Sequence, residues 1–318
     1  MSTHDLRRGR NGISMNEMVH HTNGSSVGRP WKGLSQYWDV IPFLSIHLMC
    51  LWAFQTGIRM EWVMLAIGSY YLRMVAVTAG YHRYFSHRSY KTSRIFQFIL
   101  AFLAMTSAQK GVLWWAAHHR HHHKYSDQAE DIHSPLQRGF WFSHVGWILS
   151  ADYMRTDLNL VKDFGRYPEI CFLSRFYFIP PCLYALILYS VGGFPALVWG
   201  FFISTTALYH CTFFINSLTH MVGRVRYRSK DGSKNSFILA VLCCGEGWHN
   251  NHHHYQVAVN QGWFWWEVDV SYYILSFLSW FGIVWDLKKP PEYIKARTIA
   301  VESGSHMGRT PPALSPGP

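Results

Sequence analysis

The apolar positions of this chain fall into two doublets. Residues 39–57 (DVIPFLSIHLMCLWAFQTG) and 62–80 (WVMLAIGSYYLRMVAVTAG) form the first, and 171–191 (CFLSRFYFIPPCLYALILYSV) and 195–215 (PALVWGFFISTTALYHCTFFI) the second. Each run approaches the roughly 20 residues that a helix needs to cross a bilayer. Short links, Gly57 to Glu61 and Gly192 to Pro195, join the members of each pair as helical-hairpin turns. The first link carries Arg59 and the second no Lys or Arg, while basic residues collect in the N-terminal tail, in 82–170 and after 216. By the positive-inside rule those three segments face the cytoplasm. The pattern predicts an all-α integral membrane protein with four transmembrane helices in two hairpins and both termini on the cytoplasmic side.

Composition agrees with a bilayer setting. Charged residues make up 15% of the 318 and hydrophobic ones 49%, against about 25% charge in an ordinary soluble domain. The net charge of +11 is explained by basic side chains next to anionic headgroups. No basic, aromatic-interleaved module points to nucleic acid. Residues 1–38 read as a polar, disordered tail without a visible cleavable signal, 39–290 as the membrane domain, and 291–318 as a second disordered tail. The six cysteines (Cys50, Cys171, Cys182, Cys211, Cys243, Cys244) form no C-x-x-C pair and read as packing residues in a reducing compartment.

The chemistry lies in histidines that follow the second and fourth spans. HRYFSHR supplies His82 and His87, HRHHH supplies His119, His122 and His123, and HNNHH supplies His249, His252 and His253. NSLTH adds Asn216 and His220. Residues three and four apart share a helix face, so each His-x-x-His-His group can aim three imidazoles into one volume. One such group alone is an ordinary polar helix face. Three histidine clusters on one side of the membrane indicate a shared metal site. Nine histidines are too many for one ion and enough for two. Imidazole suits zinc, iron, copper and nickel alike. Asp127, Glu130, Asp131, Glu246, Glu267 and Asp269 are candidate acceptors for the outer imidazole N–H.

The stretches TAGYHRYFSHRSY (78–90), HRHHHKYSD (119–127), RGFWFSHVGW (138–147), NSLTH (216–220) and GEGWHNNHH (245–253) resemble the membrane fatty-acid desaturases, nearest to the acyl-CoA (stearoyl-CoA-like, delta-nine) branch. The resemblance implies a cytosolic helical cap on four spans and a diiron centre. Its ligands would be His82, His87, His119, His122, His123, His220, His249, His252 and His253, with Asn216 near the metal through water. His118, His121 and His254 flank the boxes and are not counted. It implies two iron ions, dioxygen as co-substrate, and a cis double bond placed between carbons 9 and 10 of a fatty acyl thioester. One departure stands out: acyl-CoA members of animal type read Trp-Ala-Arg-Asp where this chain has Trp115-Ala116-Ala117-His118. The carrier on the acyl chain could therefore be CoA, a carrier protein or an intact lipid.

An acyl chain is featureless, so a tunnel must set the position of reaction, with apolar and aromatic walls. Trp114, Trp115, Trp147, Trp248 and Trp263 are candidates for those walls. Tyr70, one turn from Ala66 on the second span, is expected to limit chain length. Arg155 and Lys162 are candidate phosphate contacts, and Arg73 is expected to snorkel to the interface. No iron–sulfur spacing of cysteines is present, so electrons would come from a separate ferredoxin, rubredoxin or b-type cytochrome. A membrane hydroxylase would use the same metal site. A metal transporter would place ionisable residues along its spans, whereas His47, Arg73, Arg175 and His210 are the few found there.

Overall fold

A computed structural model describes residues 40–298 of the chain. The two expected tails fall on 1–38 and 291–318; all of the first and the second from residue 299 lie outside the described residues. Within them the chain turns a short helix at Glu292–Lys295, where the Lys295 carbonyl accepts a hydrogen bond from the Tyr227 hydroxyl at 3.0 Å.

Helix α1 (Val40–Met49) continues through a 3-10 turn at Cys50–Trp52 into a last turn at Ala53–Thr56. Gly57 ends it at φ 73°, a left-handed conformation that glycine adopts without a Cβ penalty. Helix α2 (Met60–Ala76) follows and passes into a π-helical stretch at Val77–Ser86. Then come strand β1 (Lys91–Thr92), α3 (Arg94–Met105) and α4 (Val112–Tyr125). Helix α5 (Ile179–Leu197) is interrupted at Gly192 and at Gly193, whose φ is 66°. Pro195 stands in the first turn after this break, where its missing N–H costs nothing. A π-helical stretch (Val198–Ile203), α6 (Ser204–Ser217) and a 3-10 turn (Leu218–His220) complete the second hairpin. Helices α7 (His249–His254) and α8 (Val270–Trp280) precede strand β2 (Val284–Trp285). β2 pairs antiparallel with β1, Lys91 opposite Trp285.

The expected run 171–191 is not one helix. Residues 168–175 form a separate short helix, Phe176 leaves helical geometry at φ −107°, ψ 45°, and the long helix begins at Ile179. Pro180 and Pro181 are the physical reason, since neither can sit inside a helix but both fit a first turn. Met60–Ser86 and the interrupted Ile179–His220 are long and apolar enough to cross a membrane by length and composition.

These helices turn apolar side chains outward. Phe54 is 89% and Val191 84% exposed, and Leu48, Leu186 and Ile187 are more than half exposed. Uncovered apolar area costs about 25 cal/mol per Å² in water, so this surface fits an apolar surrounding. The polar groups point inward instead. Arg73 does not snorkel: it is 1% exposed, because its guanidinium is hydrogen-bonded among the helices. It donates to the carbonyls of Ser69 (3.2 Å) and Thr106 (3.3 Å), to the Thr205 hydroxyl (2.6 Å) and to the Ser204 hydroxyl. It also lies 5.0 Å over the Tyr184 ring. One side chain thus clamps α2 to α6 and to the end of α3.

Arg73→Leu is expected to lower the thermal unfolding temperature of the detergent-solubilised protein strongly, by an effect of about 3 kcal/mol or more for breaking a buried charged network. Leu72→Ala, at an outward-facing position, should change it little. Equal unfolding temperatures for the two variants would contradict the clamp.

Candidate metal centre

The first histidine pair depends on an unusual helix. His82 and His87 are five residues apart, a spacing that puts side chains on different faces of an α-helix. Here the backbone is π-helical over Val77–Ser86, and the His87 N–H donates to the His82 carbonyl, five residues back, at 3.2 Å. The wider turn returns both rings to one face, with centroids 4.8 Å apart. Short π-helical stretches are frequent at functional sites.

The second box is α-helical. His119, His122 and His123 share the inner face of α4, while Arg120 points the other way. Its guanidinium pairs with both carboxylate oxygens of Asp163 at 2.9 Å and caps the Phe85 and Ser86 carbonyls that end the π-helical stretch. The arginine of the first box has the matching role. Arg83 is buried and pairs with Asp269 (2.9 Å) and Glu246 (3.2 Å).

The third box is too short to hold itself in place, and its asparagines and glycines do so. Asn250 accepts from the backbone N–H groups of Arg226 and Tyr227 at 2.8 Å. Asn251 donates to the Gln261 carbonyl and to Glu267, each at 2.9 Å. A Cβ on Gly247 would fall on the backbone of Ala240 and Ser236, and one on Gly245 on the Asp269 carboxylate. The word GEGWHNNHH therefore encodes a close backbone approach followed by two anchors.

The nine histidines meet in two groups. His82, His87, His119, His123 and His252 bring one ring nitrogen each within 4.8 Å of one another, and His122, His220, His249 and His253 do the same. In the first group the Nε2 atoms of His87 and His119 are 2.8 Å apart, His119 and His123 2.9 Å, His123 and His252 3.0 Å, and His82 and His252 3.0 Å. Adjacent nitrogens on an ion with bonds of about 2.1 Å and right-angle geometry sit about 3 Å apart.

Proton counting makes the fit sharper. A neutral imidazole carries one N–H. In the second group His122 donates from Nδ1 to Asp131 (3.0 Å), His220 to Asp127 (2.8 Å) and His253 to Asp231 (2.6 Å). Three bare Nε2 lone pairs then converge, and that of His253 is buried with no partner. Lone pairs cannot satisfy one another, and a cation satisfies all of them. In the first group His82 directs Nδ1 at Glu246, which leaves its Nε2 bare as well. The residues therefore suit two imidazole-ligated ions.

Burial tunes these groups. His87, His119, His123, His249 and His252 are held well below the ordinary histidine range by burial first and by neighbouring histidines second. Burial also holds His253 down, to about 4, against the pull of Asp231. Burial pulls His122 down too, but the Asp131 carboxylate outweighs it and the net shift is upward.

The sequence profile of the family described as fatty acid desaturase matches residues 60–285. The chain belongs to the fatty acid desaturase family. It is 38% identical over 266 residues to the sn-1 stearoyl-lipid 9-desaturase of Synechocystis, covering 81% of this chain and 82% of that protein. It is 35% identical over 274 residues to the chloroplastic palmitoyl-monogalactosyldiacylglycerol delta-7 desaturase of Arabidopsis thaliana, covering 85% and 73%. It is 32% identical over 273 residues to an acyl-CoA 5-desaturase of Anemone leveillei, covering 85% and 84%. Relatives of this desaturase thus carry both acyl-lipid and acyl-CoA names, and family membership makes it an oxidoreductase without selecting the acyl-CoA branch.

Two cavities approach these histidines. The larger, about 850 Å³, is lined by Pro42, Phe43, Lys110, Trp114, His118, Trp147 and others, and the smaller, about 470 Å³, by Met74, Val77, Thr78, Cys243 and others. Trp115, His119, Thr212 and Asn216 line both. The expected wall residues Trp114, Trp115 and Trp147 stand there. Trp248 and Trp263 instead direct their indole N–H groups at the Val268 and Asn260 carbonyls and line neither cavity. Tyr70 lies outside the smaller cavity, its hydroxyl on the Leu242 carbonyl at 2.7 Å, and Met74, one turn on, faces the cavity in its place. Arg155 and Lys162 are exposed and line neither cavity. Of the flanking histidines, His121 donates to the Glu130 carbonyl (2.9 Å), His254 stacks on Tyr227, and His118 donates to the Trp114 carbonyl.

Sequence reading missed Asp231, His133 and Gln109. Asp231 backs His253 from 22 residues away, and His133 stacks on His122 at 4.3 Å. A third string runs apart from the nine: His47, His210 and His144 are linked ring to ring at 3.1 and 3.0 Å.

The metal-free protein should lose stability in acid. The unfolded chain protonates its histidines near pH 6.5, and the six depressed rings of the cluster resist protonation when folded. Below that pH the unfolded state binds more protons, so stability falls as pH falls; His122 works in the opposite sense, one ring against six. The unfolding temperature of chelator-treated protein should drop steeply from about pH 7 to pH 5.5. A flat profile would contradict burial of neutral histidines.

Proposed function

We propose that this chain is an oxygen-dependent fatty acyl desaturase whose nine histidines hold two iron ions, with Asn216 near the metal through water. The observation that supports it best is that two cavities share Trp115, His119, Thr212 and Asn216 as lining, which brings the mainly apolar walls of both to the side chain of His119. The reaction removes two hydrogens from a –CH₂–CH₂– pair. They leave with dioxygen, two electrons and two protons as two waters. The irons, when bound, supply the oxidising power that no side chain has.

The residues supply position. Trp115 donates from its indole to Gln109 at 3.2 Å, and Gln109 donates to the Thr212 hydroxyl at 3.1 Å. Trp115 also stacks on His119, with centroids 5.0 Å apart. Trp115 and Thr212 of this hydrogen-bonded bridge line both cavities, so an acyl chain that enters both must bend around it. A bend held in place favours a cis product and fixes which carbons face the histidines. Met74, Val77 and Thr78 close the far end and limit the chain beyond the bend. The centre's side of the molecule would face the cytosol in a multi-pass arrangement, and a separate ferredoxin, rubredoxin or b-type cytochrome would bring electrons to it.

The carrier is better read as a membrane lipid than as CoA. Among the described residues that line the larger cavity, Lys110 is the one Lys or Arg, and its ammonium lies over the Trp114 ring at 5.5 Å. That is poor provision for a polyphosphate head. Ala117 and His118 also stand where acyl-CoA members of animal type have Arg and Asp.

The test is expression in a host lacking its own desaturase, with double bonds located by mass spectrometry and His122→Ala as control. A cis-monounsaturated acid should appear first in the phospholipid fraction and be absent from the control. A hydroxylated acid, or a double bond that appears first in acyl-CoA, would overturn the reaction or the carrier respectively.

A further inference from the structure

The two histidine groups differ more in charge than in ligand number. In the four-histidine group three of the four rings are backed by carboxylates: Asp131 behind His122, Asp127 behind His220 and Asp231 behind His253. Their side chains are 0–6% exposed. The remaining oxygens of these acids are met by neutral donors. Asp127 accepts from the Ser134 hydroxyl and the Gly232 N–H, Asp131 from the Asp127 and His133 N–H groups, and Asp231 from the Ser233 N–H. In the five-histidine group one ring is backed, His82 by Glu246. That carboxylate is shared with Arg83 at 3.2 Å, which also pairs with Asp269.

Three negative charges therefore stand behind one position, while a partly neutralised one stands behind the other. Charges buried at this depth are weakly screened. A carboxylate on the outer N–H of a ligating imidazole raises the basicity of its inner nitrogen, and losing such a partner typically costs about 10–100-fold in metal affinity. The fifth imidazole of the other group adds a neutral donor but no charge.

We propose that the two metal positions are unequal. The four-histidine position, charged by Asp127, Asp131 and Asp231, takes up the first ion and releases it last; the five-histidine position fills second and empties first. This rests on the dinuclear reading above. It makes the three aspartates positioning residues for one ion and not for both.

The experiment uses the full chain in detergent, stripped of metal by a chelator and titrated with Co²⁺ against a chromophoric chelator, so that no turnover is involved. The wild type should bind two ions in two steps with dissociation constants at least about 10-fold apart. Asp231→Asn, which keeps size and shape, should weaken the tighter step by about 10–100-fold and leave the weaker step unchanged. Glu246→Gln should act on the weaker step alone. If Asp231→Asn does not fold, the wild type still decides, since a competing chelator should remove its ions in two separate phases. Two ions that bind and leave identically, or an Asp231→Asn effect on the weaker step, would overturn the inequality alone. Fewer than two ions in the wild type would overturn the dinuclear reading together with it.

Discussion

Nine imidazoles packed into one space, with ring nitrogens aimed at one another, form an arrangement that a protein cannot satisfy by itself. Each ring has one N–H to give, and four of the nine are directed at carboxylates: His82, His122, His220 and His253. The inner nitrogens are left about as far apart as neighbouring donors on one ion. Much of the rest of the molecule answers this constraint. The π-helical stretch turns His87 back toward His82. Arg120 caps its last carbonyls, and Arg83, within it, is held by Asp269 and Glu246. Asn250 and Asn251 fix a six-residue helix that would not persist alone.

The same constraint links the centre to its setting. Helices α2 and α6 each lead into histidines of the cluster, His82 and His220, so whatever holds those helices together also holds the two groups in register. Arg73 is that link inside the helical layer, bonded to Ser204 and Thr205 on α6 and to the end of α3. The bridge of Trp115, Gln109 and Thr212 then joins α4 to α6 just above it. A chain lying in either cavity would thus touch helix α4, which carries His119, and helix α6, which leads to His220.

Much of this was legible in the sequence because it is local. The histidine spacings in HRHHH and HNNHH are helical, so the shared face of His119, His122 and His123 could be read directly. The glycine and proline punctuation at Gly57 and at Gly192–Pro195 marked both hairpin links. What could not be read depends on partners far along the chain or on non-standard backbone. The spacing of His82 and His87 looks wrong for one helix face until the π-helical turn is seen. Asp231 sits in a basic surface-like stretch and gives no sign of facing His253. Arg73 looked like an interfacial cation because its hydroxyl partners come from another hairpin. Pro180 and Pro181 did carry a signal, since paired prolines argue for a helix start, and it was outweighed by the apolar run around them.

The central claim is that histidine nitrogens, and not carboxylates, form the inner contacts of the ions. X-ray absorption at the iron edge of the iron-loaded protein tests it most directly. The account predicts a first shell dominated by nitrogen at about 2.1 Å with the outer scattering pattern of imidazole rings, and two irons per chain. A first shell dominated by carboxylate oxygen or thiolate sulfur would contradict it.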